Sequence, residues 1–302
     1  MKVAITGATG FLGRYIVRKM HDVGNSCRCW FRSESNCYEP GNVQDVLEWT
    51  HGELGNSAAC EDLLDGCDAV VHSGLHRTGE AFRGGEGDVT DFVQKNVVGT
   101  IQLIETARRL GIEKFVFIST CAVHEKILDD RPLDETHPLW MTTHYGAYKA
   151  AVEQFVHSYG FGVGFPICAL RPTGIYGLHH QPRRSKWFDL VQQVAQGSPV
   201  ECRGGGKEVH AADVAEAVDL LLHSRDNAGE VYSCYDRYVS QMDVATLARE
   251  LSGSSAEIRG EQTRPRHQIV SDKIKGMGMQ FGGEELLKKT IGELLAVGSS
   301  SA

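Results

Sequence analysis

The sequence predicts an α/β protein, a doubly wound parallel sheet with a small, mostly helical C-terminal lobe, on three observations. Strand-length apolar runs alternate with helical patterns through the first half of the 302 residues. A turn bearing three glycines, Gly7, Gly10 and Gly13, follows the first of those runs. The alternation then breaks after Pro172. Alternating strands and helices with short, continuously apolar strands specify a parallel sheet covered on both faces.

Taken in order, Val3-Ala4-Ile5 centres a buried strand at 2–6. The glycine turn leads into a helix at 11–23. Cys27 and Cys29 alternate with polar residues in a strand at 27–31, and a helix follows at 57–65. Strands at 69–72, 114–119 and 166–171 are separated by helices at 91–110 and 145–160. Beyond Pro172 come a helix at 185–196, a turn at Gly197-Ser198-Pro199 and a glycine cluster at 204–206. An amphipathic helix at 211–223 and a strand at 230–234 precede a mostly helical stretch at 240–302. The segment Arg83-Gly84-Gly85-Glu86-Gly87 reads as a connecting loop able to border a cleft.

A net charge of −8 argues against nonspecific nucleic-acid binding but leaves room for a nucleotide at a local positive site. No apolar stretch reaches membrane-spanning length, so no membrane partner is expected. The nine cysteines are odd in number and include no C-x-x-C pair. They read as small core residues in a reducing compartment, with the cytoplasm as the expected location and no metal site.

Two stretches carry candidate chemistry. In T6-G-A-T-G-F-L-G13 the backbone N–H groups and the positive end of the helix dipole converge where an anion would sit. Gly7 permits the tight turn, Gly10 lets the backbone approach a pyrophosphate, and Gly13 allows close helix–strand packing. A βα corner without a ligand can use glycine as well. In H144-Y-G-A-Y-K149, Tyr145 and Lys149 lie four apart on one helix face. A lysine beside a tyrosine favours the phenolate and makes a proton donor or acceptor usable near neutral pH. The same spacing also suits an ordinary exposed helix face. Ser119 and Thr120 end a strand on the edge where the glycine turn lies, placed either to orient a substrate oxygen or to cap a turn.

These motifs in their order resemble the extended short-chain dehydrogenase/reductase family, which includes nucleotide-sugar epimerases and dehydratases. The resemblance runs from Met1 to about Val218. It rests on T6-G-A-T-G-F-L-G13, D68-A-V-V-H-S-G74, N96-V-V-G-T100, S119-T120, Y145-G-A-Y-K149, R171-P-T-G-I-Y-G177 and H210-A-A-D213. It implies a Rossmann domain at 1–172, to which 207–235 returns, and a substrate-binding lobe at 173–206 and 236–302. It implies a catalytic group of Thr120, Tyr145 and Lys149. Tyr145 would exchange the hydroxyl proton, and Lys149 would also hold the nicotinamide ribose. Asn96 would support the geometry or a proton-relay water, although a plain helix-side hydrogen bond is open to it too. The cofactor-binding set is Gly7, Thr9, Gly10, Phe11, Leu12, Gly13, Arg32, Glu53, Leu54, Ser73, Gly74 and Pro172, with Tyr145 and Lys149. A homodimer through the helices at 91–110 and 145–160 is the family's usual assembly.

At the end of the second strand, where NAD binders usually carry an acid, the sequence reads Phe31-Arg32. A guanidinium binds a 2′-phosphate that an acid would repel, so NADP is favoured over NAD. Glu34 is near enough in sequence to reach a ribose. Glu53 stands where the family more often has aspartate near the adenine.

Several departures bear on substrate. Gly174 replaces a family asparagine, and Gly206, with Lys207 beside it, replaces the arginine that binds diphosphate. Cys121-Ala122 replace the acidic pair of dehydratases, which argues against dehydration. Arg183, Arg184 and Lys186 could meet a diphosphate or simply form a solvated helix start. Three functions stay open. The first is an NAD(P)-dependent oxidoreductase acting on a sugar-like small molecule, including epimerisation. The second is an NADPH-dependent reductase of small or aromatic carbonyls. The third is a dinucleotide sensor without turnover, which the intact Tyr145, Lys149 and Thr120 argue against.

Overall fold

A computed structural model of the chain describes residues 1–32, 37, 47–79 and 84–299. Glu34 and Arg83 lie outside the described residues. Strand β1 (Lys2–Thr6) enters the glycine turn, and helix α1 (Phe11–Asp22) leaves it. Residues Gly13, Ile16, Val17 and Met20 of α1 are buried, the three-to-four spacing of a helix with one face on a sheet. Strands β2 (Ser26–Phe31) and β3 (Leu47–His51) precede α2 (Ser57–Leu64), whose start is capped by Asn56 accepting from Ala59 N–H at 3.1 Å. Next come β4 (Ala69–His72), α3 (Val89–Val93), α4 (Gly99–Arg109), β5 (Lys114–Ile118), α5 (His144–His157) and β6 (Ile167–Pro172).

After β6 the elements no longer alternate regularly. They are β7 (Gly174–Tyr176), α6 (Phe188–Ala195), β8 (Val200–Cys202), β9 (Gly205–His210) and α7 (Ala211–His223). Then follow β10 (Val231–Cys234), β11 (Arg237–Ser240), α8 (Gln241–Ser252), β12 (Ile258–Gly260), α9 (Asp272–Gly276) and α10 (Gly283–Ser299). Helix α8 opens on a capping box between Ser240 and Asp243 and closes on Gly253 at φ +66°.

The chain divides into two compact units. The first comprises Met1–Pro172, Val214–Cys234 and Val270–Met279, and the second comprises Thr173–Asp213, Tyr235–Ile269 and Gln280–Ala302. The first unit holds a seven-stranded sheet in the order β10-β6-β5-β4-β1-β2-β3, with every neighbouring pair parallel. This is the doubly wound sheet that the alternation predicts. Its central strands are buried almost throughout, as a sheet covered on both faces requires. The second unit carries a three-stranded sheet, β11-β9-β7, and a two-stranded pair, β12-β8. Its core is formed by Tyr176, Val191, Val244, Leu287 and Ile291 among others.

Several elements differ from expectation for identifiable reasons. The helix expected at 91–110 is interrupted by a π-helical turn at Gln94–Val98. There Asn96 Nδ2 donates to Phe92 O at 2.9 Å and Thr100 Oγ1 donates to Asn96 O at 2.5 Å, so side chains enter the backbone ladder. The helix expected at 145–160 likewise passes into a π-helical turn at Ser158–Gly162. The helix expected at 185–196 begins only at Phe188, because Trp187 adopts a left-handed φ of +67° after a 3₁₀ turn at Pro182–Arg184. Strand β3 escapes the apolar pattern because it is an edge strand of half-exposed residues. The stretch 240–302, expected to be mostly helical, also contains β12.

Candidate active site

The turn after β1 is built from glycines that a side chain would disrupt. Gly7 holds φ +76°, and a Cβ there would stand 2.7 Å from Ser73 Oγ. A Cβ on Gly13 would stand 2.2 Å from Gly7 O, so α1 packs directly against the turn. Gly10 caps α1 and offers no side-chain cap to its first N–H groups, and the nearest atom to a Cβ there would be Gly7 O at 3.2 Å. A helix start capped by a glycine, with no side chain over it, is a cradle for an anion, and it fits the pyrophosphate of a dinucleotide.

Gly7 and Thr9 line a cleft with Arg32, Glu53, Leu54 and Gly74. Trp30, Phe31 and His76 are also part of its wall. Phe11 and Leu12 lie in the first turn of α1, behind Gly10. Ser73 sits just beyond β4, where its Oγ donates to Thr6 O at 2.7 Å. Pro172 is placed apart from this group. It ends β6, pairs in register with Cys234, and is separated from β1 by β5 and β4.

A buried polar chain runs beneath the cleft. Gly74 N–H donates to Thr6 Oγ1 at 3.0 Å, and Thr6 Oγ1 lies 2.6 Å from His72 Nδ1. His72 Nε2 lies 2.9 Å from Thr100 Oγ1, which donates to Asn96 O. Since Thr100 gives its proton to Asn96, its oxygen accepts from His72 Nε2–H, and the network assigns the neutral tautomer with Nδ1 accepting from Thr6. Burial, aided by the Lys149 charge, pushes His72 down to about 3, consistent with a neutral ring. Asn96, fully buried, accepts from His76 N–H at 2.8 Å and donates back to His76 O at 2.9 Å. Its amide therefore pins the segment bearing His76 to the π-turn.

Helix α5 begins at the Thr143 cap, whose Oγ1 accepts from Gly146 N–H at 3.2 Å. Lys149 is 4% exposed, and its Nζ donates to Ile118 O at 2.6 Å. The ammonium lies 4.5 Å from the Phe117 ring centroid, 4.8 Å from that of Tyr148 and 6.0 Å from that of Tyr145. Burial pushes Lys149 down to about 7, with the Glu153 carboxylate opposing the shift. Thr120 is extended, partly exposed, and accepts from Ala122 N–H at 3.1 Å. Ser119 is 2% exposed, and its hydroxyl donates to the Glu153 carboxylate. Thr120 thus lies just beyond the end of β5, to which Lys149 is bonded, and Tyr145 lies with Lys149 in the first turns of α5.

Glu153 extends this arrangement in a way the motifs do not reveal. Its fully buried carboxylate takes Arg171 Nε at 2.9 Å and Nη2 at 2.7 Å, a two-point pair of the kind guanidinium geometry favours. Arg171 Nη1 also reaches His124 Nε2 at 3.1 Å. That contact requires a neutral His124, and burial beside Arg171 pushes this ring down to about 4. The four-residue spacing of Lys149 and Glu153 is visible in the sequence, and so is the hydroxyl of Thr6 at the end of β1. Neither spacing alone singles out a role.

Among the described residues, no helix is long and apolar enough to cross a membrane and no cluster of His, Cys, Asp and Glu could hold a metal ion.

Comparison with known proteins agrees with this fold. Human dTDP-D-glucose 4,6-dehydratase is 32% identical, with 96% of this chain and 89% of that protein covered. A ketoreductase of Stigmatella aurantiaca acting on a farnesylated dihydroquinoline oxide is 30% identical over 85% of this chain and 75% of that protein. Among solved structures, UDP-glucose 4-epimerase of Thermus thermophilus, in complex with NAD, superposes with a TM-score of 0.78 at 23% identity, covering 97% of this chain and 99% of that one. UDP-N-acetylglucosamine 4-epimerase of Methanobrevibacter ruminantium gives a TM-score of 0.81 at 18% identity, covering 100% and 99%. At these identities the two structures speak to the fold. Residues 3–234 match the model of a family described as the NAD dependent epimerase/dehydratase family. With that match across most of its length, the chain belongs to this family, whose enzymes are extended short-chain dehydrogenase/reductases taking a nicotinamide dinucleotide.

Proposed function

We propose that the protein transfers hydride between a nicotinamide dinucleotide and a hydroxyl- or carbonyl-bearing carbon of a sugar-like substrate, in the manner of nucleotide-sugar epimerases. The observation that carries this reading is the bond of Lys149 Nζ to Ile118 O, which ties the first turns of α5, with Tyr145, to the end of β5 just before Thr120. The bound nicotinamide supplies the hydride acceptor or donor. The chain's own residues hold the cofactor and manage the proton. The turn Gly7 to Gly13, with Thr9, Gly10, Phe11 and Leu12, takes the pyrophosphate, and Glu53, Leu54, Ser73 and Gly74 border the adenosine and its ribose. Tyr145 Oη takes or returns the substrate hydroxyl proton, Thr120 Oγ1 orients that oxygen, and the Lys149 ammonium favours the phenolate. Asn96 keeps the segment bearing His76 in place. The second unit serves as the substrate-binding lobe.

Within this reading NADP is favoured over NAD. Arg32 borders the cleft at the end of β2, where Phe31 stands instead of an acid. A homodimer belongs to the same reading. Exposed Val93, Leu110, Phe155, Phe161 and Val163, on or next to the helices at 91–110 and 145–160, support it, and sedimentation velocity tests it.

One feature favours the second reading, a reductase of small or aromatic carbonyls. In the second unit the buried Glu208 carboxylate takes both its contacts from Lys186 Nζ, at 2.6 and 2.5 Å. A Cβ on Gly174 would stand 2.6 Å from Glu208 Oε2, and one on Gly206 would stand 2.1 Å from Oε1. The two glycines thus accompany a carboxylate that fills their side-chain space, and a carboxylate disfavours a diphosphate.

The test is thermal unfolding with NADP or NAD saturating and UDP, dTDP, GDP or CDP then added singly. A further rise with one nucleotide supports a sugar-nucleotide substrate and names its base. No rise with any of them moves the assignment to carbonyl reduction, where NADPH is consumed stoichiometrically.

A further inference from the structure

The loop after β4 delivers a buried acid to the start of α5. Gly84 and Gly87 are exposed and hold φ of +78° and +74°, while Gly85 and Glu86 between them are buried. Thr78 N–H and Gly79 N–H both donate to Gly85 O, at 3.2 and 3.0 Å, which closes the neck of the loop. The approach is tight enough that a Cβ on Gly79 would stand 2.8 Å from Gly85 Cα, and one on Gly87 would stand 2.4 Å from Thr78 Oγ1. Glu86 emerges from this neck only 7% exposed, and its Oε1 accepts from Tyr145 N–H at 3.2 Å.

Glu86 adds a second side-chain acceptor at the start of α5, beside the Thr143 cap. Thr143 already caps α5 through Gly146 N–H, and Glu125 already holds Thr142 through its N–H and, at 2.7 Å, its hydroxyl. Burying a further carboxyl group is costly unless it gains specific partners. The partner it gains is the backbone of the tyrosine itself, at the positive end of the helix. We propose that Glu86 is a positioning residue for Tyr145, holding the tyrosine's own N–H from the loop that follows β4. The catalytic weight of this contact rests on the reading of Tyr145 as the acid/base. The placement of that phenol then depends on the Gly84–Gly87 segment being docked. A shift of about 1 Å at a reacting group can reduce rate by about a hundredfold, so a contact that fixes one backbone position is enough to matter.

The test compares Glu86→Gln, which keeps an oxygen acceptor without the charge, with Glu86→Ala, which keeps neither. Selective ¹⁵N labelling of the nine tyrosines gives separable amide signals, and the one lost in Tyr145→Phe belongs to Tyr145. The expected result is faster hydrogen exchange at the Tyr145 amide in Glu86→Ala, with near-native exchange in Glu86→Gln and unchanged melting temperatures in both. Turnover of the nucleotide sugar or carbonyl compound that the thermal-unfolding screen selects should fall about tenfold to a hundredfold in Glu86→Ala with an unchanged KM for cofactor, and Glu86→Gln should recover most of it. A Tyr145 amide that exchanges identically in all three proteins would overturn the proposal, as would a Glu86→Ala variant with native kcat. Retained turnover in Tyr145→Phe would instead remove the acid/base reading, while the amide exchange would still decide whether Glu86 holds the helix start.

Discussion

Lys149 Nζ donates to Ile118 O at 2.6 Å, which ties the helix that presents Tyr145 to the strand that leads into Ser119 and Thr120. Lys149→Met should therefore reduce turnover by about 10²- to 10⁴-fold, the range for losing a group that assists proton transfer. The same substitution has a stability signature. The buried amine sits at about 7 against 10.5 in the unfolded chain, so between those values the unfolded chain binds more protons. Stability should rise with pH across that window in the native protein, and Lys149→Met should flatten the rise. Denaturant melts at a series of pH values provide the check, and equal slopes in the two proteins would contradict it.

Arg32→Glu should weaken NADP binding far more than NAD binding, because it replaces a partner for the 2′-phosphate with a repelling charge. Titration calorimetry with each dinucleotide reads this directly. Equal losses would show that Arg32 does not distinguish them.

Glu153 and Arg171 form a buried pair with side chains 0% and 2% exposed. Glu153→Gln removes one charge and strands the other, which should destabilise the protein by about 3–5 kcal/mol. The double substitution to apolar residues of similar volume should recover much of that loss. A chemical-denaturation cycle tests both, and a single-variant cost under about 1 kcal/mol would mean that the pair is solvated or replaceable.

Acid should destabilise the fold through its neutral histidines. His72 and His124 titrate at about 3 and about 4 when folded, against 6.5 when unfolded. Below 6.5 the unfolded chain takes up protons that the folded chain refuses, so stability should fall as the pH is lowered toward 4. Melting temperatures across this range should show the decline, and His72→Gln should make it shallower. An unchanged slope in that variant would show that His72 does not contribute.

What could be read from the sequence follows from what each feature requires physically. The turn Gly7 to Gly13 was legible because positive φ at Gly7 and the 2.2 Å clash at Gly13 leave no other residue type. The parallel sheet was legible because strands buried on both faces must be apolar throughout. Strand β3 was not, since its Glu48 and His51 face solvent at a sheet edge. The π-turn at Asn96 was hidden because the side-chain bonds that accompany it, to Phe92 O and to His76 twenty positions away, leave no mark in the apolar pattern. Glu86 and Glu153 were hidden for the same reason. A glutamate among glycines and a glutamate on a helix look solvated until the fold brings Tyr145 N–H and Arg171 to them.

The measurement that tests the central claim most directly is turnover and cofactor affinity of Tyr145→Phe, made side by side with the native protein. The expected result is loss of turnover by about 10²-fold or more with nearly unchanged dinucleotide affinity, because only the proton-exchanging oxygen is removed. Turnover retained at the native rate would contradict it and would require another group to exchange the substrate proton.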